Sequence, residues 1–322
     1  MSRPRLSPAP AAGLLALIAS LVPASAGPAR EAIVTVQLAN AVEVIDLAAD
    51  RVVRRIPVDG APAGIALSPD RSRAYVTRPE GHGLAVLDLD AGTVLTEIPL
   101  PGGPLGVAAD PRGGKVYVAD WYGSRIFVLT ERDGALTADG EIAVGRSPSG
   151  IAVSPDGKTL YVANREADTV SVVDASTRRE TAVIPVGHHP FGITLDAAAG
   201  RAYTANVTGD DVSVIDVAAG KEVGRVPTGK RPYVVALLNG RGFVTNQYAD
   251  SVTAFDLATL KPLAEIDVGD HPEGIAADPA TNRLYVADWG DNRLTVIDAG
   301  SLKTVEKVAT GNGPRAFGDF LR

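Results

Sequence analysis

The chain contains no cysteine, and its single methionine is Met1. These absences exclude disulfides, thiolate metal sites, covalent c-type haem, thioether ligation and cysteine nucleophiles. Any bound metal must be held by His, Asp, Glu or backbone oxygen. Histidine is scarce, at four residues, and aromatics make up only 5% of the sequence, so where they fall carries information. No apolar run is long enough for a bilayer-spanning helix. The one extended run, Ala11 to Val22, follows Arg3 and Arg5 and precedes Pro23 and the small triplet Ala24-Ser25-Ala26. That order reads as a signal peptide over residues 1–26, cut before Gly27, which places the mature chain, residues 27–322, in the periplasm or outside the cell. No cysteine follows the cut to carry a lipid, and Arg-Pro-Arg is not a twin-arginine signal.

Positive charge is also in short supply. The formal net charge of -7 becomes about -9 once Arg3 and Arg5 leave with the leader, and an acidic surface is a poor generic partner for nucleic acid or anionic lipid. With 45% hydrophobic and 21% charged residues, the chain has ample material for a folded core.

What the sequence has in abundance is repetition. A proline opening a short apolar run recurs at Pro62, Pro104, Pro148, Pro190, Pro232, Pro272 and Pro314, with spacings of 42, 44, 42, 42, 40 and 42 residues. An aromatic residue starts a strand at Tyr75, Tyr117, Tyr161, Tyr203, Phe243 and Tyr285, and an aspartate closes the next strand at Asp46, Asp88, Asp174, Asp216, Asp256 and Asp298. The step from the fourth residue of the aromatic strand to that aspartate is ten residues, as from Asn164 to Asp174, so the intervening hairpin is fixed. Within one copy, Gly150–Ser154, Leu160–Ala163, Val170–Val173 and Thr181–Pro185 read as four strands, with Pro155-Asp156-Gly157 as the first turn. Short strands with Gly and Pro punctuation predict an all-β, seven-bladed propeller with four-stranded blades. The first copy begins at its second strand, Ile33-Val34-Thr35, whereas the C-terminal Pro314-Arg315-Ala316-Phe317 is an innermost strand with nothing after it. Residues 314–322 are therefore expected to complete the first blade and close the ring.

The segment Tyr161-Val162-Ala163-Asn164, followed by Thr169-Val170-Ser171-Val172-Val173-Asp174, resembles the YVTN-type repeat of the YncE-like propeller family, a resemblance that covers residues 31–322. It implies the fold more than the function. Similar propellers include nucleic-acid-binding and surface-layer proteins and, with eight blades instead of seven, the haem d1 domain of nitrite reductase.

In a blade with strands a to d running outward, the d–a and b–c loops emerge on one face, called the top, and the a–b and c–d turns on the other. All four histidines fall on the top: His82 in a b–c loop, and His188, His189 and His271 in d–a loops. So do Trp121 and Trp289, the three tyrosines outside the framework (Tyr122, Tyr233 and Tyr248), and the basic residues Arg78, Arg146, Arg165, Lys230, Arg231 and Arg315. The bottom turns hold mainly the residues that turn geometry demands. Loops vary and collect odd residues, yet this concentration favours a binding face.

The residues just before the seven prolines should line the channel mouth. They are Ala61, Gly103, Ser147, His189, Arg231, His271 and Gly313, with Phe191, Tyr233, Glu273 and Arg315 forming a second layer. His189 and His271, with Glu273 nearby, are candidate metal ligands. Arg231 between them favours an anion instead. The framework residues Asn164, Asn206, Asn246, Asp120 and Asp288 end a strand before a loop, where short polar side chains bond backbone, and are read as structural.

No Gly-x-Ser-x-Gly elbow, phosphate loop, His-Glu-x-x-His motif or paired general-acid carboxylate pattern appears. The expected function is a non-enzymatic, exported, monomeric binding or scaffold propeller, whose top face takes a small anionic or aromatic ligand or a partner protein. The candidate ligand-binding residues are His188, His189, Arg231, Tyr233, His271, Glu273, Arg315, Trp121 and Trp289. One alternative is a metal- or tetrapyrrole-binding enzyme or accessory protein of periplasmic redox metabolism. Another is single-stranded DNA binding with Trp121 and Trp289 as stacking platforms, which the acidity disfavours.

Overall fold

The structure is a computed structural model that describes residues 30–322; the predicted leader and its cut before Gly27 lie outside the described residues. Seven sheets follow one another along the chain, five of them four-stranded, the first three-stranded and the second five-stranded because it takes in Phe317–Gly318. In the fourth, strand a is Pro148–Val153, b is Thr159–Asn164, c is Thr169–Asp174 and d is Arg179–Pro185. The fold is thus a seven-bladed propeller of four-stranded blades. No helix among the described residues is long and apolar enough to cross a membrane.

The burial patterns show how sequence becomes blade. Strands b and c are buried almost throughout, as in Thr159–Asn164, because blades pack face to face and cover both surfaces of their inner strands. Strand d is exposed except near its end, where one aliphatic residue such as Ile56, Ile184 or Val226 tucks inward. The aromatic near the start of the b strand in six of the seven blades seals the blade interface: Tyr117 and Tyr203 are fully buried, and Tyr203 meets Phe255 of the next blade at 6.2 Å. The c–d pairing slips by one residue in every blade, for example between Val172 and Val173. A bulge there increases twist, as splayed blades require.

The closing aspartates are turn formers. Asp174 Oδ1 accepts the N–H groups of Ser176 and Thr177, and Asp46 those of Ala48 and Ala49. These bonds favour the ionised carboxylate. The Ser176 hydroxyl, the largest influence, and the Thr177 N–H hold Asp174 down at about 2.

The C-terminal segment closes the ring at the first blade, and does more than expected. Pro314 bridges Val36 and Leu321 bridges Ala32, both antiparallel, as an innermost strand should. Arg315 donates its N–H to Thr35 O, and Ile33 donates to Phe320 O. Between these ends Phe317–Gly318 steps sideways and pairs in parallel with Gly64–Ile65, the inner strand of the second blade. Gly318 has φ 131, and a Cβ there would lie 1.9 Å from Ile65 O, so only glycine allows the crossing.

Candidate functional site

The channel mouth follows from the repeat. The residue before the anchoring proline is left-handed at Ala61, Ser147, His189, Arg231, His271 and Gly313, with φ between 51 and 70. Five of these are held by an Asx side chain at the end of the preceding b–c turn. Asn40 accepts the N–H of Ala61, Asp168 that of His189, Asp210 that of Arg231, Asp250 that of His271 and Asn292 that of Gly313, at 2.7 to 3.1 Å. Burial pushes Asp168 up, but the His189 N–H and the His188 imidazole outweigh it and leave the carboxyl below its usual range.

One step further down, the inner strands touch. At Gly106 a Cβ would meet Ser149 O at 1.7 Å, and at Gly150 it would meet Phe191 O at 2.6 Å. The residues between proline and this position, namely Ala63, Leu105, Ser149, Phe191, Tyr233, Glu273 and Arg315, form a collar. Three are small or aliphatic, while the four on consecutive blades from Phe191 to Arg315 are aromatic or charged.

A third ring was not read from the sequence. The residue after strand b's fourth position is Gln37, Pro79, Trp121, Arg165, Val207, Gln247 or Trp289. Except at Pro79, which has no N–H, each donates to the carbonyl of the mouth residue beside it, as Trp121 to Gly103, Gln247 to Arg231 and Trp289 to His271. Its signal was one more column of the same repeat, counted one residue past the framework Asn or Asp.

The expected site residues fall into two arcs. In the inner arc, Tyr233 stacks on Phe191 at 4.0 Å, Phe191 meets Trp121 at 6.2 Å, and Arg165 lies 5.5 Å above the Trp121 ring. Arg315 donates to Glu273 at 2.5 Å and to the Tyr233 hydroxyl at 3.2 Å, and Gln247 donates to the other Glu273 oxygen at 2.9 Å. Burial alone would lower the Arg315 pKa; the charges of Glu273 and Tyr233 and the bonds to both reverse this and raise it. Burial, then the Glu273 charge, pushes Tyr233 up. His189 joins this arc through Glu166, whose carboxylate lies 3.7 Å from His189 Nε2 and 2.5 Å from Arg165. His189 Nδ1 is buried without a partner.

In the outer arc, Tyr248 carries Arg231 over its face at 5.2 Å and meets His271 edge-on at 5.3 Å; His271 in turn meets Trp289. Trp289 donates to Gln37 at 3.4 Å. His188 is exposed and faces Asp168 at 3.0 Å. His189 and His271, expected as co-ligands, thus face different carboxylates: Glu166 for one, Asp270 at 2.6 Å for the other.

The top cations differ in company. Arg78, Arg165, Lys230 and Arg315 are ion-paired with Glu97, Glu166, Asp210 and Glu273. Among the described residues, Arg146 and Arg231 form no such pair. Thr208, Asp210, Lys230, Arg231 and Tyr248 line a cavity of ≈ 400 Å³. A larger cavity of ≈ 1090 Å³ belongs to the opposite side: it follows the lower halves of the inner strands past Ile151, Ile193 and Val235 to the turns at Arg71, Pro111 and Asp278. Its wall is made of the inner strands, where Thr194 Oγ1 donates to Val235 O of the next blade at 2.6 Å.

The framework Asn and Asp residues are fully buried and bind neighbouring strands. Asn164 donates to Thr169 and Ser171, and Asn246 to Ser251 and Thr253. Asp120 accepts Gly103 N–H and Arg125.

A family model described as lactonase, 7-bladed beta-propeller, matches residues 123–230, and an NHL repeat model matches residues 102–129 and 270–297. No curated protein matches the sequence. Among solved structures, a protein from Lactobacillus plantarum is similar at 20% identity and TM-score 0.79, covering 92% of this chain and 99% of that one. Hydrazine synthase of Kuenenia stuttgartiensis is similar at 22% identity and TM-score 0.70, covering 80% and 89%. Dihydro-heme d1 dehydrogenase NirN in complex with DHE is similar at 18% identity and TM-score 0.66, covering 93% and 77%. These likenesses show the propeller fold.

Proposed function

We propose that the protein is an exported, non-enzymatic YVTN-type binding propeller whose top face takes a small organic anion with a planar group. The observation that supports this reading is Arg231. It stands at the mouth, lies on the Tyr248 ring and lines a cavity of ligand size without an ion-pair partner among the described residues. A guanidinium over a ring offers charge-assisted donors to a carboxylate or phosphate and a flat surface to the rest of the ligand. Lys230 adds charge from the same wall, although Asp210 partly offsets it.

The test is a panel of aromatic carboxylates and phosphates, screened by thermal shift and followed by calorimetry on wild type, Arg231→Ala and Tyr248→Ala. Arg231→Ala should weaken binding by the ~1.5–3 kcal/mol typical of a charged hydrogen bond, with little change in melting temperature, since the side chain lies outside the packed blade interfaces. Unchanged affinity in both variants would remove the site from this cavity.

A second reading, a non-covalent tetrapyrrole, draws on the unpartnered His189 Nδ1 and on the run of rings from Trp121 through Phe191 to Tyr233. A visible absorption spectrum of protein purified from its own periplasm tests it; the absence of a tetrapyrrole band would count against it.

A further inference from the structure

Three consecutive mouth loops set the same two positions side by side, and the third breaks the charge rule of the first two. In each loop, an aspartate ending a b–c turn caps the N–H of the residue before the proline. The residue one place earlier then meets the same carboxylate. His188 Nδ1 lies 3.0 Å from Asp168, and Lys230 Nζ lies 2.6 Å from Asp210. In the third loop this place is taken by Asp270, so Asp250 finds an acid where the other two find a base.

The result is a cluster of metal-ligating atoms. One oxygen from each of Asp250 and Asp270 and one His271 ring nitrogen lie within 4.8 Å of one another. Arg293, the arginine of that blade's c strand, is engaged by Asp288 and Asp291. The imidazole is positioned by its surroundings: its backbone N–H is held by Asp250, and its ring sits edge-on to Tyr248 and Trp289. Asp270 is fixed from behind by its N–H bond to Asp291.

We propose that Asp250, Asp270 and His271 bind a first-row divalent cation of the zinc class, which takes the electrostatic place of the Lys230 ammonium. Two carboxylates supply the charge, and an imidazole selects such ions over calcium or magnesium, which prefer all-oxygen shells. Three protein ligands leave a coordination position for water or an incoming anion. Because the ligands are not the residues of the Arg231 cavity, this site and the anion reading can fail separately.

Zinc uptake by the full mature chain, measured by competition with a chromogenic chelator, tests the assignment. Wild type should bind one equivalent at micromolar or lower zinc. Asp270→Lys, which copies the Lys230–Asp210 pair, should weaken binding at least tenfold while keeping the wild-type melting temperature. Asp270→Asn should weaken it in the same direction and covers the case in which the lysine variant misfolds. A His188→Ala/His189→Ala double variant should bind as wild type. The proposal is overturned by absence of micromolar zinc binding in wild type, by wild-type affinity in the folded Asp270 variants, or by loss of binding in the His188/His189 variant.

Discussion

Arg315 and Glu273 form an ion pair at 2.5 Å across the ring seam, one from the last residues of the chain and the other from the inner strand of the seventh blade. Their side chains are 15% and 5% exposed, so the pair is a buried one, and Tyr233 and Gln247 occupy further hydrogen-bonding positions on it. The collar that narrows the channel and the contact that holds the ring closed are therefore the same group of side chains.

Breaking such a pair from one side is costlier than replacing both partners, because the survivor is left charged in a poor solvent. Glu273→Ala should lower stability by about 3–5 kcal/mol, read from urea unfolding. Replacing Glu273 and Arg315 together by Met should recover a large part of that loss. A single variant as stable as wild type would mean that water reaches the pair.

Removing Pro314–Arg322 should abolish cooperative folding. Those residues carry Ala316 and Phe320, both fully buried, and Leu321, nearly so. They also supply the hydrogen bonds that finish the first blade and the parallel pairing to the second. The truncated chain is expected to aggregate or lose its sharp thermal transition; a soluble form with unchanged melting would show that the ring closes without them.

In five of the seven blades glycine follows the collar residue and lets the inner strands approach each other, at Gly64, Gly106, Gly150, Gly192 and Gly274. Gly106→Ala puts a methyl group 1.7 Å from Ser149 O, against backbone that cannot swing away. Overpacking of this kind costs about 1–3 kcal/mol or somewhat more, measurable as a lower urea midpoint. Val234 and Ala316 occupy the equivalent places in the sixth and first blades, so the requirement belongs to particular seams.

Much of this architecture was legible in the sequence because each column has a single physical reason. Proline starts strand a, an aromatic seals the blade interface, and aspartate folds the c–d turn. The seam was legible only in part. That residues 314–322 return to the first blade follows from a missing strand, whereas the sidestep of Phe317–Gly318 depends on how close Ile65 lies, which no local pattern encodes. The mouth was read from the residues before the prolines alone. Asn40, Asp168, Asp210, Asp250 and Asn292 look like ordinary turn residues, yet their side chains cap the mouth and set its charge. Likewise, the sequence lines up His189, Arg231 and His271 on consecutive blades, but Glu166, Tyr248 and Asp270 decide which of them share surroundings.

The blades differ at the framework position that ends strand b. Asn164, Asn206 and Asn246 occupy it in three consecutive blades; in the seventh it is Asp288. Asp288 is fully buried, accepts Thr295 Oγ1 and Arg293 Nε, and leaves Oδ1 without a partner. Burial outweighs the Thr295, Gly269 and Arg293 interactions and raises its pKa to about 6. A carboxyl raised above its unfolded value binds its proton more tightly when folded. Between about pH 4 and 6 the native state therefore holds more proton than the unfolded one, and stability falls as pH rises through that window. The loss reaches ~3 kcal/mol at neutral pH for a shift of about two units. Asp288→Asn places an uncharged side chain there, as in the neighbouring blades, and should remove this part of the pH dependence. The variant is expected to be more stable than wild type at pH 7.5 and close to it at pH 4. Paired urea titrations at the two pH values check this; a stability difference between variant and wild type that does not change with pH would mean that folding does not raise the Asp288 pKa.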